Sequence, residues 1–289
     1  MARALALALA AGMGLPFWPQ AVPPVRRVIA RSASVVWISA GPAWVGADTV
    51  DVEYAVRLCE SQLPLLVFSA CNVRRFVTET PRRRVYLEAY GIDRTEVTQA
   101  AYAACNRAGR CPPSRLADVD PRLRGPDLPI ASVTWDEAEA YCRYVGGRLP
   151  KDAEWERAAS GGHDRRRFPW GQLYNGQLAN HGRSPGGPDG SDGHALAAPV
   201  GSYPDGASPH GLLDMAGNVW EWTADPPPAE ELPEGLDRSV YRVLRGGSWS
   251  HPPVALRVTH RYRLPRTVHR SDLGFRCAYD GGEPVRPSP

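Results

Sequence analysis

The clearest periodic signal lies between residues 134 and 145. Thr134 and Glu137 form a capping box, after which Trp135, Ala138, Cys142 and Val145 recur at spacings of three and four. That spacing predicts a helix whose apolar face includes Cys142, so the cysteine points inward. A second helix is predicted after Pro150, carrying Ala153, Trp155 and Ala158 and ending at Gly161 and Gly162. A third begins at Thr98 and runs through Ala100, Ala101, Ala103 and Ala104 to Gly109. Elsewhere the pattern is short. Residues 35–45 read as strand and turn, 86–92 as a strand, and only short strands and loops are expected beyond 160. The arginine runs 82–84 and 165–167 read as solvated charge.

Composition explains the shortness of these elements. The 289 residues include 28 Gly and 29 Pro with no collagen-like period, while 43% are hydrophobic, so the chain folds with many turns and little regular structure. Lys plus Arg number 34 against 31 for Asp plus Glu; a net charge of +3 is too small to make nucleic acid or an anionic membrane the main partner. The length allows one large domain or two small ones, and no stretch reads as a linker, because 225–234 is flanked by aromatic-rich sequence. One domain over 32–280 is expected, between a leader at 1–31 and a disordered Pro-rich tail at 281–289, and the protein is expected to be a monomer. No Asp or Glu precedes Asp48, Arg3 stands near the start, and 4–13 is an Ala/Leu run, so the leader resembles a secretory signal. The run is shorter than the roughly 20 residues of a spanning helix. Export to a periplasm or the medium is therefore expected, without an integral membrane segment.

Six cysteines in an exported chain favour disulfides. Fifteen connectivities are possible in principle. Short spacings nominate Cys59 with Cys71 and Cys105 with Cys111, leaving Cys142 for Cys277, although the pairing of Cys59 and Cys71 stays open. With no C-x-x-C and no finger-like Cys/His spacing, structural zinc is not expected.

Five segments then occur in order: 148–156 (RLPKDAEWE), 168–171 (FPWG), 211–222 (GLLDMAGNVWEW), 245–249 (RGGSW) and 274–277 (GFRC). Together with 37–41 (WISAG) and 91–98 (GIDRTEVT), they resemble the formylglycine-generating enzyme (sulfatase-modifying factor) family over about 33–280. The resemblance implies a compact α+β domain with little regular structure, related to the C-type-lectin-like fold, and a Cys142–Cys277 disulfide.

Asn180, Asp189, Asp192, Asp214 and Glu221 are short oxygen-bearing side chains in Gly-rich stretches, a setting that suits calcium. The resemblance implies two sites. One uses the Asn180 and Asp192 side chains with the carbonyls of His181 and His194. The other uses Asp214 and Glu221 with the carbonyls of Gly217 and Val219; the family usually has Asn where Asp214 stands. The bland alternative is that Asp192 and Asp214 only build turns.

The family's chemistry depends on two cysteines after the Arg-Gly-Gly-Ser motif, whose soft thiolates bind copper(I). The matching positions here are His251 and Leu256, and no cysteine lies between Cys142 and Cys277. Leucine has no lone pair, so a two-thiolate site cannot form, no copper is expected, and ordinary formylglycine generation is not either. His251, His260, His269 and Asp272 supply material for a two-His, one-carboxylate iron site, a weak signal because spacing has no geometric content in an irregular fold.

By resemblance, Trp220, Ser248, Trp249 and Tyr262 line a substrate cleft, whose aromatic walls suit an extended peptide or small ligand. One of Trp220 and Trp222 is expected to be core, and Ser248 lacks a G-x-S-x-G elbow. Two functions remain: an oxidative maturation enzyme acting on a peptide or secreted target, and a catalytically silent, calcium-stabilised binding module.

Overall fold

The computed structural model describes residues 35–62, 71–118, 120–183 and 186–281, all within one unit of the chain. The expected leader, 1–31, and the tail from 282 lie outside those residues. Strand β1 (Val35–Ile38) pairs antiparallel with β4 (Tyr90–Asp93), which also pairs with β9 (Ala278–Asp280). β2 (Gly41–Val45) and β3 (Arg83–Leu87) form a separate antiparallel ribbon. The strand expected over 86–92 is thus two strands, because the chain leaves one sheet after Leu87 and enters another at Tyr90. A third, mixed sheet has the order β7 (Tyr262–Pro265), β6 (Tyr241–Arg245), β5 (Trp220–Trp222), β8 (Leu273–Gly274), with only the β5–β8 pair parallel.

The capped helices form where the pattern places them. In α3 (Gln99–Arg107) the Thr98 side chain accepts from Ala101 N; in α4 (Trp135–Tyr144) Thr134 and Glu137 complete a capping box. α5 (Asp152–Ser160) stops at Gly161, whose φ of 84° is a left-handed cap open to glycine. Two helices were not expected: α1 (Thr49–Ser61) and α2 (Arg74–Val77). α1 has its own capping box, Asp48 with Asp51. That box also corrects the reading of the arginine runs as solvated. Arg82 pairs with Asp48 (2.6 Å) and Asp51, and Arg167 pairs with Asp51 (3.0 Å) while lying over the Tyr54 ring.

All six cysteines are in disulfides: Cys59–Cys71, Cys105–Cys111 and Cys142–Cys277. The last joins α4 to the strand end of the GFRC segment inside the largest core cluster, where Tyr141 stacks on Tyr102 and meets Phe275 edge-on. Strands this short contribute few ladder bonds, and buried ion pairs cross the gaps between elements. Arg245, fully buried, bonds Asp152 (2.5 Å) and Glu156 (2.8 Å), tying β6 to α5. Arg276 grips Glu221 through Nε and Nη2, both at 2.7 Å, tying the GFRC segment to β5.

Candidate functional site

A cleft of about 720 Å³ opens where β5 and β7 meet the turn after β6 and the α2 segment. Trp220 on β5 forms its back, with the rings of His251 (5.4 Å, near-perpendicular), Tyr262 (5.7 Å) and His260 (5.9 Å) around it. Trp220 is buried with one face on the cleft. Trp222, two residues on, points into the core and donates to Val133 O (3.0 Å).

Beneath Trp220 the Arg-Gly-Gly-Ser segment turns so that Ser248, Ser250 and His251 converge on Asp272, the residue just before β8. Ser248 Oγ and Ser250 Oγ each donate to Asp272 Oδ2 (2.7 Å for both), and both oxygens lie near His251 Nδ1 (2.8 and 3.1 Å). Arg270 bonds the same carboxylate through Nε and Nη2 (2.9 Å each). Burial would raise the Asp272 carboxyl, but the His251 bond and the Arg270 charge prevail and hold it well below the ordinary carboxylate range. The indole N–H of Trp220 donates to the same His251 Nδ1 (3.2 Å), so the Asp272 carboxylate, both serine hydroxyls and the indole converge on one ring nitrogen. This is not a hydrolase triad. In a triad, serine and aspartate bind opposite nitrogens of the imidazole; here both meet Nδ1, and Ser248 is fully buried.

The other histidines belong elsewhere. His260 Nδ1 meets Glu79 Oε1 (3.0 Å), a buried carboxylate also held by Arg257 (2.8 Å twice) and Thr259 (2.7 Å). Burial opposes ionisation of Glu79, yet Arg257 and His260 keep its carboxyl far below the usual range. His269 approaches Glu137 (3.3 Å) at the start of α4. The structure therefore distributes His251, His260, His269 and Asp272 over three networks, and no group of three or more His, Cys, Asp or Glu able to hold a metal occurs among the described residues.

Leu256 is fully buried against Phe168, Ala179 and Ala216. Position 251 thus offers an imidazole to the cleft and position 256 a hydrocarbon to the core. Trp249 packs with Leu123, Ala131 and Val219, away from the cleft.

The calcium-type residues form two linked loops. Asn180 Nδ2 donates to Leu196 O (2.9 Å) and Asn218 Oδ1 (3.3 Å), which leaves its buried Oδ1 without a partner. Such an orphaned acceptor fits a hard cation. Asp192 accepts the amides of His181 (2.6 Å) and His194 (2.9 Å), so it builds the turn that carries both carbonyls. Gly217, at φ 82°, lets Asn218 N reach Asn180 O (2.8 Å); a Cβ there would lie 2.0 Å from that oxygen. In the second group, Asp214 accepts from Gly201 N (2.6 Å), but Glu221 is taken by Arg276 and by Trp155 Nε1 (2.8 Å). A residue that sequence reasoning missed, Glu96, lies buried beside Asp214 with both carboxylate oxygens unpartnered. Burial raises both carboxyls; the Asp214 charge adds to the rise at Glu96, whereas at Asp214 the Gly201 amide and Glu96 oppose the rise and the Glu221 charge adds to it. Glu96, Asp214 and Glu221 face one buried cation, Arg276, and that excess of negative charge fits a bound cation through Asp214 and Glu96 better than through Glu221. The available sequence signal for Glu96 is its place in the TEVT segment, 95–98.

Comparison with known proteins agrees with this architecture. The chain is 39% identical over 165 residues to a mouse protein named inactive C-alpha-formylglycine-generating enzyme 2, covering 55% of this chain and 51% of that protein. It is 41% identical over 187 residues to the formylglycine-generating enzyme of Streptomyces coelicolor (59% and 58% covered). It is 33% identical to the hercynine oxygenase of Mycolicibacterium thermoresistibile across 93% of this chain and 64% of the relative. The chain thus spans about half the length of the mouse relative. The solved structure of PvdO from Pseudomonas aeruginosa superimposes with a TM-score of 0.63 at 23% identity, over 86% of this chain and 94% of that one, so the two share a fold. The sulfatase-modifying factor enzyme 1-like domain matches residues 21–281, and the chain belongs to that family.

Proposed function

We propose that this chain is an exported, calcium-stabilised binding module of the family, which holds an extended peptide or small ligand against Trp220, Tyr262 and His251 and does not generate formylglycine by the two-cysteine copper route. The observation that carries this reading is the donor set. Every cysteine is in a disulfide, Leu256 is sealed in the core, and the side chain that position 251 brings to the cleft is an imidazole. The relative named inactive is in keeping with it. Three disulfides support export to an oxidising compartment, and among the described residues no helix is long and apolar enough to cross a membrane. Calcium would be held by Asn180 and Asp192 in one loop and by Asp214, with Glu96, in the other, where it would neutralise buried carboxylates and pin the loops together.

The second reading, oxidative maturation of a peptide or secreted target, is favoured by the similarity to hercynine oxygenase along nearly the whole chain and by the place of His251 in the cleft wall. The deciding experiment incubates the disulfide-intact protein with a sulfatase-type cysteine peptide, oxygen and copper, and in parallel titrates labelled peptides by fluorescence anisotropy. Peptide binding that Tyr262→Ala weakens, with no aldehyde detected by mass spectrometry, is expected. Aldehyde formation would overturn the proposal.

A further inference from the structure

Resting on the cleft reading above, we propose that the ligand is an acidic peptide segment, recognised through Arg74, Arg75 and Arg263. Among the described residues the cleft is lined by four arginines and two histidines and by no Asp or Glu, although the chain as a whole is nearly balanced at 34 basic against 31 acidic residues. A cation-only lining between low-dielectric walls focuses field on the ligand.

The lining cations are not equivalent. His251 is matched by Asp272, His260 by Glu79, and Arg261 by Glu231 (2.6 Å) and Asp152 (3.6 Å). Arg263 has only a 3.8 Å approach to Glu231, with 33% of its side chain exposed. Arg74 and Arg75 are exposed and pair with no carboxylate among the described residues. They are nonetheless held in place. Between them and the core, Phe76 is buried with Val52, Cys59, Cys71 and Val254, and the Arg257 guanidinium lies 5.0 Å from its ring. The Cys59–Cys71 bond fastens this segment to α1 on one side, and Glu79 fastens it to Arg257 and His260 on the other. The cleft thus presents three cations lacking close anionic partners beside an apolar strip of Pro252, Val254 and Ala255 and the half-open ring of Tyr262. A peptide with carboxylates around an aromatic or aliphatic side chain satisfies both features. A nucleic-acid backbone would call for a longer basic stripe.

The test uses the full chain with its disulfides intact and a fluorescein-labelled heptapeptide carrying four glutamates around a central tyrosine, alongside its glutamine and lysine counterparts. The acidic peptide is expected to bind roughly tenfold tighter than the glutamine one, weakening as salt rises, and the lysine peptide is expected not to bind. The double variant Arg74→Glu/Arg75→Glu, checked for an unchanged melting curve, should weaken the acidic peptide roughly tenfold and leave the glutamine peptide unchanged. Equal binding of acidic and glutamine peptides, both weakened by Tyr262→Ala, would overturn the acidic class while leaving the cleft reading standing. No binding of any peptide at millimolar concentration would overturn both. Tighter competition by oligodeoxythymidylate than by the acidic peptide would overturn the peptide class.

Discussion

The proposed function turns on where Leu256 points, and Leu256→Ala measures it. The side chain is fully buried among Phe168, Ala179 and Ala216, with Leu58, Trp170 and Tyr174 packed around them. Truncation removes three carbons from a rigid aromatic pocket. The lost transfer energy is about 0.8 kcal/mol per methylene and the residual cavity adds to it, which gives about 3–4 kcal/mol. For a domain of this size that corresponds to a melting temperature lower by about 6–16 °C. Peptide affinity below the transition should not change, because this side chain faces away from the cleft. Calorimetry and anisotropy on the same samples report both quantities. A cost under about 1 kcal/mol together with altered peptide binding would place position 256 on the cleft and remove the basis of the donor argument. The same donor argument predicts that the parent protein surrenders all copper(I) to a bicinchoninate competitor; retention of one equivalent would refute it.

Other expectations follow from the core and the loops. Replacing Cys142 and Cys277 by alanine opens a 135-residue loop, and the chain-entropy relation sets the loss near 5 kcal/mol at most, read from urea midpoints. A loss near zero would mean that the core around Tyr141 and Phe275 holds the two segments unaided. Asp93 is buried, accepts from Cys277 N and the Tyr279 hydroxyl (3.0 Å each), and burial pushes its carboxyl from 3.8 up to about 6. The folded state therefore keeps a proton that the unfolded chain releases, so about 3 kcal/mol of stability is lost as pH rises from about 4 through 6. Asp93→Asn should flatten that part of the pH profile, and an unchanged slope would contradict the assignment. Calcium at a hundredfold excess over its Kd should stabilise the protein by about 2.7 kcal/mol relative to chelator-treated samples. Asn180→Ala should reduce that gain; identical melting with and without calcium would argue against either site.

The parts of this molecule that were legible in its sequence are those governed by neighbours within one helical turn. The Thr134–Glu137 box, the inward face bearing Cys142 and the glycine stop at 161 all follow from local spacing, and all appear in the fold. Asp48 and Asp51 obey the same rule and were passed over, because two aspartates lack the Ser/Thr and Glu/Gln signature that marks a box at sight. The site is different in kind. Glu79 meets Arg257 and His260 across 178 and 181 residues, Asp272 gathers Ser248, Ser250 and His251 from across the turn, and Glu96 comes to lie beside Asp214. No periodicity encodes such partners. Strands of two to five residues cannot align these segments through ladder bonds alone, so buried charges do much of the aligning, and a buried charge left unpaired costs several kcal/mol. Scattered histidines that resembled a possible iron site in one dimension are accordingly claimed, one by one, by carboxylates that the fold needs. What the sequence did expose was an identity of atoms rather than a geometry: nitrogen at 251 and carbon at 256. The fold adds the direction, with the nitrogen toward the cleft and the carbon toward the core.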